Sequence, residues 1–275
     1  MIILFVRDGQ TCNQLLSLAG LFALAKETGE KTICPVFDEK LKDYFVFSFQ
    51  PNDDTSNFVL KSTLFGRTFR LIINKLKVFF IKAFGYNLTE LGKRNRLLFN
   101  WFSFVDQGLL IRYSEDIRRY FAIRPKYIEH CYSRIDKFRL DYDVIVGVHI
   151  RRGDYRDFQS GKWYYDDHQY ICWLKHLQDS SEVSVLFLLF SNEEIDIKAY
   201  TDSGLNVQWS AGTMIEDLAS LSLCDFVIGP PSTYSFWAAF YGNKKRCILD
   251  DRNKSYEWND FLYYEDRYNL GENLR

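Results

Sequence analysis

The sequence predicts an α/β protein of two domains, each built on a mainly parallel sheet. Two observations support this prediction. A strand, a tight loop and a helix open the chain, and a second series of alternating strands and helices begins at Val144. Strands that alternate with helices are typical of parallel sheets. We place the domains at residues 1–140 and 141–275 and expect them to face a cleft.

The first domain opens with the strand IILFV and the turn RDGQTC. A helix is predicted from Gln14 to about Thr28, with Asn13 as its N-cap, because short polar side chains satisfy the free N–H groups of a first turn. Gly29 ends the helix. The segment KTICPVF is a second strand, and residues 40–140 contain aromatic and basic helical stretches without a repeat.

The second domain contains four apolar runs, VIVGVHI, VSVLFLLF, CDFVIGP and RCILDD. Strands that are apolar on both faces are usually buried in an α/β sheet. Between them, residues 166–178 and 214–223 and the segment STYSFWAAFYGN have helical patterns.

Composition places the chain among folded globular proteins. It has 275 residues, 47% of them hydrophobic and 26% charged, and a net charge of −1 gives no reason to expect a nucleic-acid partner. Six cysteines show no C-x-x-C spacing, which favours reduced thiols in a cytoplasmic protein. No apolar run reaches the roughly 18 residues of a membrane span. We therefore expect a soluble or peripheral protein.

The stretch from Lys61 to Arg96 is strongly basic, with nine Lys or Arg residues and the single acid Glu90. The simpler interpretation is a helix whose basic face is solvated. The alternative is peripheral contact of residues 61–96 with an anionic membrane surface, or with an acidic acceptor.

The segment VIVGVHIRRGDY places a charged loop directly after a buried strand. Such loops bind ligands at the carboxyl edge of α/β sheets, and guanidinium groups match phosphate oxygens. Alternation would turn Arg151 and Arg152 in opposite directions, so that one binds phosphate and the other orders the loop, while His149 shares the side of Arg151. The alternative is a structural ion pair with Asp154 or Asp157.

A second cluster of polar side chains lies in GPPSTYSFW, where Ser232, Thr233 and Ser235 begin a helix. Free N–H groups at a helix N-terminus bind phosphate, although Ser232 is also a good ordinary N-cap. Asp217 is a weaker candidate that either solvates its helix or accepts hydrogen bonds from a nucleobase or ribose.

Several motifs are absent or misplaced. The chain has neither G-x-x-x-x-G-K-[ST] nor G-x-G-x-x-G after its first strands, which disfavours P-loop nucleotidases and dinucleotide oxidoreductases. Asp141 and Asp143 form a D-x-D, but it precedes its strand, whereas a metal-binding pair is expected after a strand.

The segment His149–Tyr155 resembles the H-x-R-R-G-D-Y motif of the α-1,2-fucosyltransferases, whose H-x-R-R core is shared by the α-1,6- and protein O-fucosyltransferases. Weaker matches follow the family order. Gly9–Gln14 is similar to the family's N-terminal G-x-x-G-N-Q loop, and Asp217–Asn243 is similar to its D-L-x-x-(L/M)-S-x-C and S-S-x-S-W-W-G block. Cys12 and Phe236 stand where the family has a glycine and a tryptophan.

The resemblance implies a GT-B fold of two Rossmann-like domains and an inverting transfer of fucose from GDP-fucose, without metal or cofactor. It implies that Arg151 holds the β-phosphate and that His149 and Asp217 contact the guanosine. Beside Arg151 we take Asp154 as the second catalytic candidate, because its carboxylate can orient an arginine or act as a base. The resemblance also implies the following sites: the donor at His149, Arg151, Arg152, Asn192, Asp217, Ser232, Thr233 and Ser235, and the acceptor at the loop residues Asp8, Gly9, Gln10 and Asn13.

The acceptor expected from the resemblance is a glycan or a lipid-linked saccharide at the inner face of the membrane. Three alternatives remain open at this point. They are a GT-B enzyme with another nucleotide sugar, a metal-dependent transferase that uses Asp141 and Asp143, and a non-catalytic nucleotide- or glycan-binding protein of the same fold.

Overall fold

The structure is a computed structural model, and it describes residues 2–5, 10–36, 38, 40–47, 58–60, 97–98 and 106–271. The chain divides into two compact units, Met1–Ala122 and Ile123–Arg275.

The division between the units lies before the boundary expected at residue 140. The helix of residues 125–138 belongs to the second unit, where the guanidinium Nη2 of its Arg134 donates to the hydroxyls of Ser210 at 2.7 Å and Ser220 at 2.9 Å. These bonds cross more than 70 residues of sequence, which is why local patterns gave no sign of them.

The first unit contains a parallel sheet with helices. Its strands have the order β3-β2-β1-β4 and all pairs are parallel. The strands are β1 (Ile2–Phe5), β2 (Thr32–Val36), β3 (Phe58–Leu60) and β4 (Leu97–Leu98). The helices of its described residues are α1 (Thr11–Thr28), α2 (Leu41–Tyr44), α3 (Gln107–Arg112) and α4 (Ser114–Tyr120).

Helix α1 begins earlier than the sequence predicted. The N–H groups of Asn13 and Gln14 donate to the carbonyl of Gln10 at 3.0 and 3.3 Å, so the first turn closes on Gln10. The prediction of Asn13 as N-cap was therefore wrong, and Asn13 lies inside the first turn. The predicted end is confirmed, because Gly29 adopts a left-handed φ of 63° and its N–H donates to the carbonyl of Ala25.

The second unit contains a five-stranded parallel sheet in the order β7-β6-β5-β8-β9. Its strands are β5 (Val144–Ile150), β6 (Val185–Ser191), β7 (Val207–Trp209), β8 (Phe226–Gly229) and β9 (Lys245–Ile248). Its helices are α5 (Pro125–Phe138), α6 (Asp167–Asp179), α7 (Ile197–Asp202), α8 (Met214–Leu223), α9 (Thr233–Gly242) and α10 (Tyr264–Asn269).

The strand order of this sheet has a switch point. From β5 the chain builds outward through β6 and β7 on one side, and then returns to add β8 and β9 on the other. The connection that follows β5 leads to β6 on one side, and the connection that follows β8 leads to β9 on the other side. Open α/β sheets bind ligands in the crevice at this point.

The two faces of β5 have different neighbours. Val146, Val148 and Ile150 belong to the buried core that includes Trp173 of α6. On the other face, a Cβ at Gly147 would collide with Leu221 of α8, so glycine permits this helix to approach the strand closely. Because successive side chains of β5 point to opposite faces of the sheet, polar residues two positions apart near its carboxyl end are expected on the same face.

Candidate functional site

The carboxyl ends of β5 and β8 lie side by side, with Val148 in register with Ile228. The next residue of β8, Gly229, needs to be small, because a Cβ there would lie 2.7 Å from the carbonyl oxygen of His149 and 2.9 Å from its Cβ. The switch point thus brings His149 against the turn that leads into helix α9.

His149 is almost completely buried, with 4% of its surface exposed. Burial, followed by the nearby charges of Arg151 and Arg246, lowers the pKa of His149 to about 3, so its imidazole is neutral at physiological pH. The ring centroid lies 5.0 Å from that of Tyr234, and Nδ1 has no hydrogen-bond partner within the described part of the chain. This buried ring nitrogen therefore has hydrogen-bonding capacity that no described residue uses.

Arg151 follows directly after strand β5, two residues beyond His149. Its Nη2 lies 2.9 and 3.1 Å from the two carboxylate oxygens of Asp154, and its guanidinium lies 5.7 Å from the ring centre of Tyr155. Arg151 is mostly covered, whereas Asp154 is exposed. The pair fixes the direction of a guanidinium at the mouth of the crevice.

Arg152 points the other way and is used inside the protein. Its Nη2 and Nη1 donate to Asp167 at 2.7 and 3.3 Å, and its Nε donates to the carbonyl of Tyr165 at 3.1 Å. The hydroxyl of Tyr200 also donates to Asp167, at 2.7 Å. The structure therefore does not bring the Arg152 side chain together with Arg151.

Asn192, at the end of β6, supports the motif from beneath. Its side-chain oxygen accepts from the backbone N–H of Arg152 at 3.0 Å, and its amide nitrogen would lie 2.9 Å from a Cβ at Gly153. Gly153 has a φ of 55°, which favours glycine. Asn192 thus holds the loop that carries Arg151.

Helix α9 begins directly over this crevice. Ser232 is its N-cap, which was the alternative to phosphate binding, and its hydroxyl accepts from the N–H of Tyr234 at 3.2 Å. The buried hydroxyl of Ser235 donates to the carbonyl of Ser232 at 3.3 Å, and Thr233 is the first residue of the helix. The hydroxyls of Ser232 and Ser235 therefore order the turn at the positive N-terminal end of a ten-residue helix.

The hydroxyl of Tyr234 connects this turn to helix α8, where it donates to the carbonyl of Met214 at 2.9 Å. Asp217 lies one turn further along α8. Burial raises the pKa of Asp217 to about 6, although the hydroxyl of Ser210, which donates to it at 2.7 Å, acts in the opposite direction. Arg134 donates to that same hydroxyl at 2.7 Å. Asp217 is therefore the buried centre of a network that fixes the loop before α8.

The sequence analysis missed several residues of this arrangement. Tyr155 donates to the carbonyl of Pro231 at 2.5 Å, and Arg246, in strand β9, donates to the carbonyl of Pro230 at 3.2 Å. The two bonds join residues that are 76 and 16 positions apart in the sequence. The signal that was present for Arg246 was a charge inside the otherwise apolar strand RCIL.

The expected acceptor-side loop is only partly described. Asp8, Gly9 and the basic residues 61–96 lie outside the described residues. Gln10 is the exposed N-cap of α1, and Asn13 lies in its first turn. Among the helices that the structure describes, none is long and apolar enough to cross a bilayer.

The D-x-D segment lies at the amino end of strand β5, whereas His149 lies near the carboxyl end of the same strand. The carboxylate of Asp143 accepts from the backbone N–H of Ser184 at 3.0 Å and from its hydroxyl at 2.6 Å. These contacts tie together the amino ends of β5 and β6. This carboxylate has a structural contact, and it is a whole strand away from the crevice.

Comparison with known proteins gives a family and a fold. The model of glycosyl transferase family 11 matches residues 99–269, more than half of the chain. Galactoside α-(1,2)-fucosyltransferase 1 from Homo sapiens is 28% identical over 138 residues, which cover 46% of this chain and 38% of that protein. The corresponding protein of Oryctolagus cuniculus is 27% identical over 143 residues, covering 46% and 37%. The matches thus span well under half of the length of these relatives.

Solved structures resemble the chain over most of its length. The NodZ α-1,6-fucosyltransferase soaked with GDP-fucose has a TM-score of 0.57 and 16% identity, covering 93% of this chain and 97% of that one. POFUT1 in complex with GDP-fucose has a TM-score of 0.53 and 12% identity, covering 93% and 96%. Similarity at such identities establishes the fold, which confirms the GT-B-like prediction. Together with the family match, it shows that this chain belongs to glycosyl transferase family 11.

Proposed function

We propose that the chain is an inverting fucosyltransferase that moves fucose from GDP-fucose to a hydroxyl group of a glycan or of a lipid-linked saccharide. Its family and its similarity to α-(1,2)-fucosyltransferases support this proposal. Two proteins with the same fold, NodZ and POFUT1, have structures that were soaked with GDP-fucose or are in complex with it. We propose a cytoplasmic location, with an acceptor used in the biosynthesis of a surface carbohydrate.

One observation carries the proposal: the neutral His149 and the fixed guanidinium of Arg151 lie at the switch point, where helix α9 begins. Glycosyl transfer places growing negative charge on the departing phosphate. A guanidinium that is already oriented stabilises that charge more in the transition state than in the ground state. The N-terminus of α9 acts in the same direction.

Asp154 has a narrower role in this proposal than the sequence suggested. Its carboxylate lies within 2.9 Å of the Arg151 guanidinium, so we assign it to the orientation of Arg151 and not to removal of the acceptor proton. We assign Arg152 and Asn192 to the support of the loop, because their side chains bond within the protein.

The first experiment measures GDP release from GDP-fucose by the purified protein, with and without a panel of oligosaccharide acceptors. Stimulation of GDP release by an acceptor, with fucose found in the product, supports transfer. Turnover of UDP-, ADP- or CMP-linked sugars in place of GDP-fucose would identify a transferase with another donor. Binding of GDP without any turnover would favour a non-catalytic nucleotide-binding protein.

A further inference from the structure

Arg246 is a buried cation that lacks a carboxylate partner. It lies in strand β9, with 5% of its surface exposed, and its Nη2 donates to the carbonyl of Pro230 at 3.2 Å. Its Nε has no partner, and Arg246 takes part in no ion pair among residues 106–271 or the other described segments. Burial of an unpaired charge costs folding free energy. Residues that carry such a cost are expected at functional sites.

The sheet register places Arg246 on the same face as His149. Arg246 is in register with Val227 of β8, and Val227 is in register with Gly147 of β5. Registered residues of neighbouring strands point to the same side, and His149 follows Gly147 by two residues. The bond from Arg246 to the carbonyl of Pro230 shows that its side chain extends toward the carboxyl edge, where His149 and Arg151 lie.

The electrostatic influence of Arg246 reaches the same residues. Its charge contributes to the lowered pKa of His149, after burial and Arg151. Burial, followed by the charge of Arg267, lowers the pKa of Arg246 itself to about 9. Arg246 therefore remains protonated at neutral pH, beneath the turn that precedes helix α9.

The two arginines at the carboxyl end of this sheet, Arg151 and Arg246, differ in whether a carboxylate neutralises them. Arg151 is paired with Asp154, whereas the positive charge of Arg246 adds to the positive end of the α9 dipole and has no carboxylate partner among the residues that the structure describes. The protein alone therefore has an excess of positive charge behind the turn of Pro230 and Ser232. A ligand with two negative charges would remove that excess.

We propose that Arg246 is a second cation of the diphosphate subsite, acting from behind the Pro230–Ser232 turn on the diphosphate of the nucleotide held by Arg151. This inference rests on the proposed function, because it takes a nucleoside diphosphate as the ligand. Arg246 is a positioning residue, since it orders the turn through Pro230 and acts on the ligand through its charge and not through a direct bond.

The test compares ligands that differ only in phosphate. Calorimetric titrations with GDP, guanosine and inorganic pyrophosphate are carried out on the wild-type protein and on Arg246→Met and Arg246→Lys. We expect Arg246→Met to weaken GDP and pyrophosphate about 10- to 100-fold, the effect of one charge at several ångströms in a partly screened interior. Guanosine affinity should change less than about twofold, and Arg246→Lys should retain most of the GDP affinity because it retains the charge.

Lys245→Met is the matched control, because it removes a positive charge from the adjacent position of the same strand, where Lys245 lies over the ring of Tyr263. It should leave all three affinities near those of the wild type. Equal losses for GDP and guanosine in Arg246→Met would indicate a purely structural arginine and overturn the proposal. An unchanged preference for GDP over guanosine would overturn it as well.

Stability gives an independent outcome. An unpaired buried charge replaced by an apolar side chain is often neutral or stabilising, so Arg246→Met should melt no earlier than the wild type without ligand. Failure of both Arg246→Met and Arg246→Gln to fold would show that the fold itself requires the arginine, which contradicts the proposal. If the wild-type protein does not prefer GDP to guanosine, the proposed donor is wrong, and the pyrophosphate titrations still test Arg246.

Discussion

Arg151 and Arg152 are adjacent in the sequence, yet their guanidiniums have different partners on different sides of the strand. Arg151 pairs with the exposed Asp154 at 2.9 Å, whereas Arg152 is buried against Asp167 at 2.7 Å. The alternation of side chains along an extended chain produces this separation. We therefore propose that Arg151 binds the ligand and that Arg152 stabilises the fold, so substitutions of the two should have different consequences.

Arg151→Ala should lower turnover by about two to three orders of magnitude, because it removes one preorganised donor to the departing phosphate. Arg151→Lys should recover little activity, since an ammonium group does not reproduce the forked contact. The melting temperature should change little, because the partner Asp154 is exposed to solvent. Turnover of GDP-fucose and thermal unfolding are measured on the same preparations.

Arg156→Ala is the control for Arg151, because Arg156 is a nearby exposed arginine whose partner is Glu193 at 3.2 Å. Its turnover should remain near that of the wild type. Loss of both activity and folding in Arg151→Ala would indicate a structural ion pair, and normal turnover in a folded Arg151→Ala would exclude the catalytic role.

Arg152→Ala should instead destabilise the second unit by about 3 kcal/mol, because it leaves the carboxylate of Asp167 without its main partner. Arg152 also donates to the carbonyl of Tyr165, and that bond is lost with it. Urea unfolding followed by circular dichroism measures the free energy of unfolding. A free energy within about 0.5 kcal/mol of the wild type would contradict the structural role.

Local patterns predicted the elements of the second unit well. The helix at 214–223 was predicted from its periodicity and is confirmed, and Ser232 has the N-cap position that the sequence offered as the alternative to phosphate binding. The period of two also predicted that Arg151 and Arg152 would diverge. These features depend on residues only a few positions apart.

The partners that complete the site were not predictable in this way. Arg152 finds Asp167 at the start of the following helix, and Arg246 reaches Pro230 across a strand pair. These contacts depend on how helices and strands pack, and the sequence contains no local pattern that specifies them. Asn13 shows the same limit at shorter range, because Gln10 closes the first turn of α1 in its place.

The pH dependence of stability should contain two opposing contributions. The folded pKa of His149 is about 3, below its ordinary 6.5, so His149 contributes stability above pH 6.5 that is lost as the pH falls toward 3. The folded pKa of Asp217 is about 6, above its ordinary 3.8, so its contribution is present below pH 3.8 and is lost as the pH rises through 6. The two slopes oppose each other between pH 4 and 6.

Single substitutions should separate these slopes. Relative to the wild type, His149→Gln should make the free energy of unfolding fall as the pH rises from 4 to 6, and Asp217→Asn should make it rise. Each difference is limited to about 1.4 kcal/mol per pH unit for one proton. Urea unfolding at pH 4, 5, 6 and 7 provides the measurement, with the exposed His168→Gln as control. Parallel curves for all variants would contradict the assigned burial effects.

Activity should survive treatment with EDTA, since we propose that the arginine of the crevice takes the role that a divalent cation has in other transferases. Asp143→Asn should likewise retain turnover, because its carboxylate bonds to Ser184 at the far edge of the sheet. A modest loss of stability, about 1 kcal/mol, is expected from the lost bonds. Activity lost in EDTA and restored by manganese would reassign the reaction to a metal-dependent mechanism.

The last prediction concerns the base of the nucleotide. GDP should raise the melting temperature of the protein, whereas UDP at the same concentration should raise it much less, because we propose that His149 and Asp217 contact the guanosine. A ligand at 100 times its dissociation constant stabilises the folded state by about 2.7 kcal/mol.

Asp217→Asn should reduce the shift in melting temperature given by GDP and leave the shift given by pyrophosphate unchanged. Asp217 lies in helix α8, where its carboxylate accepts from the hydroxyl of Ser210, and it does not lie at the start of α9. Ser222→Ala is the control within α8, because its hydroxyl donates to the carbonyl of Ala219 in its own helix. Equal stabilisation by GDP and UDP would exclude guanosine recognition and with it the proposed donor, while leaving the family and the fold unaffected.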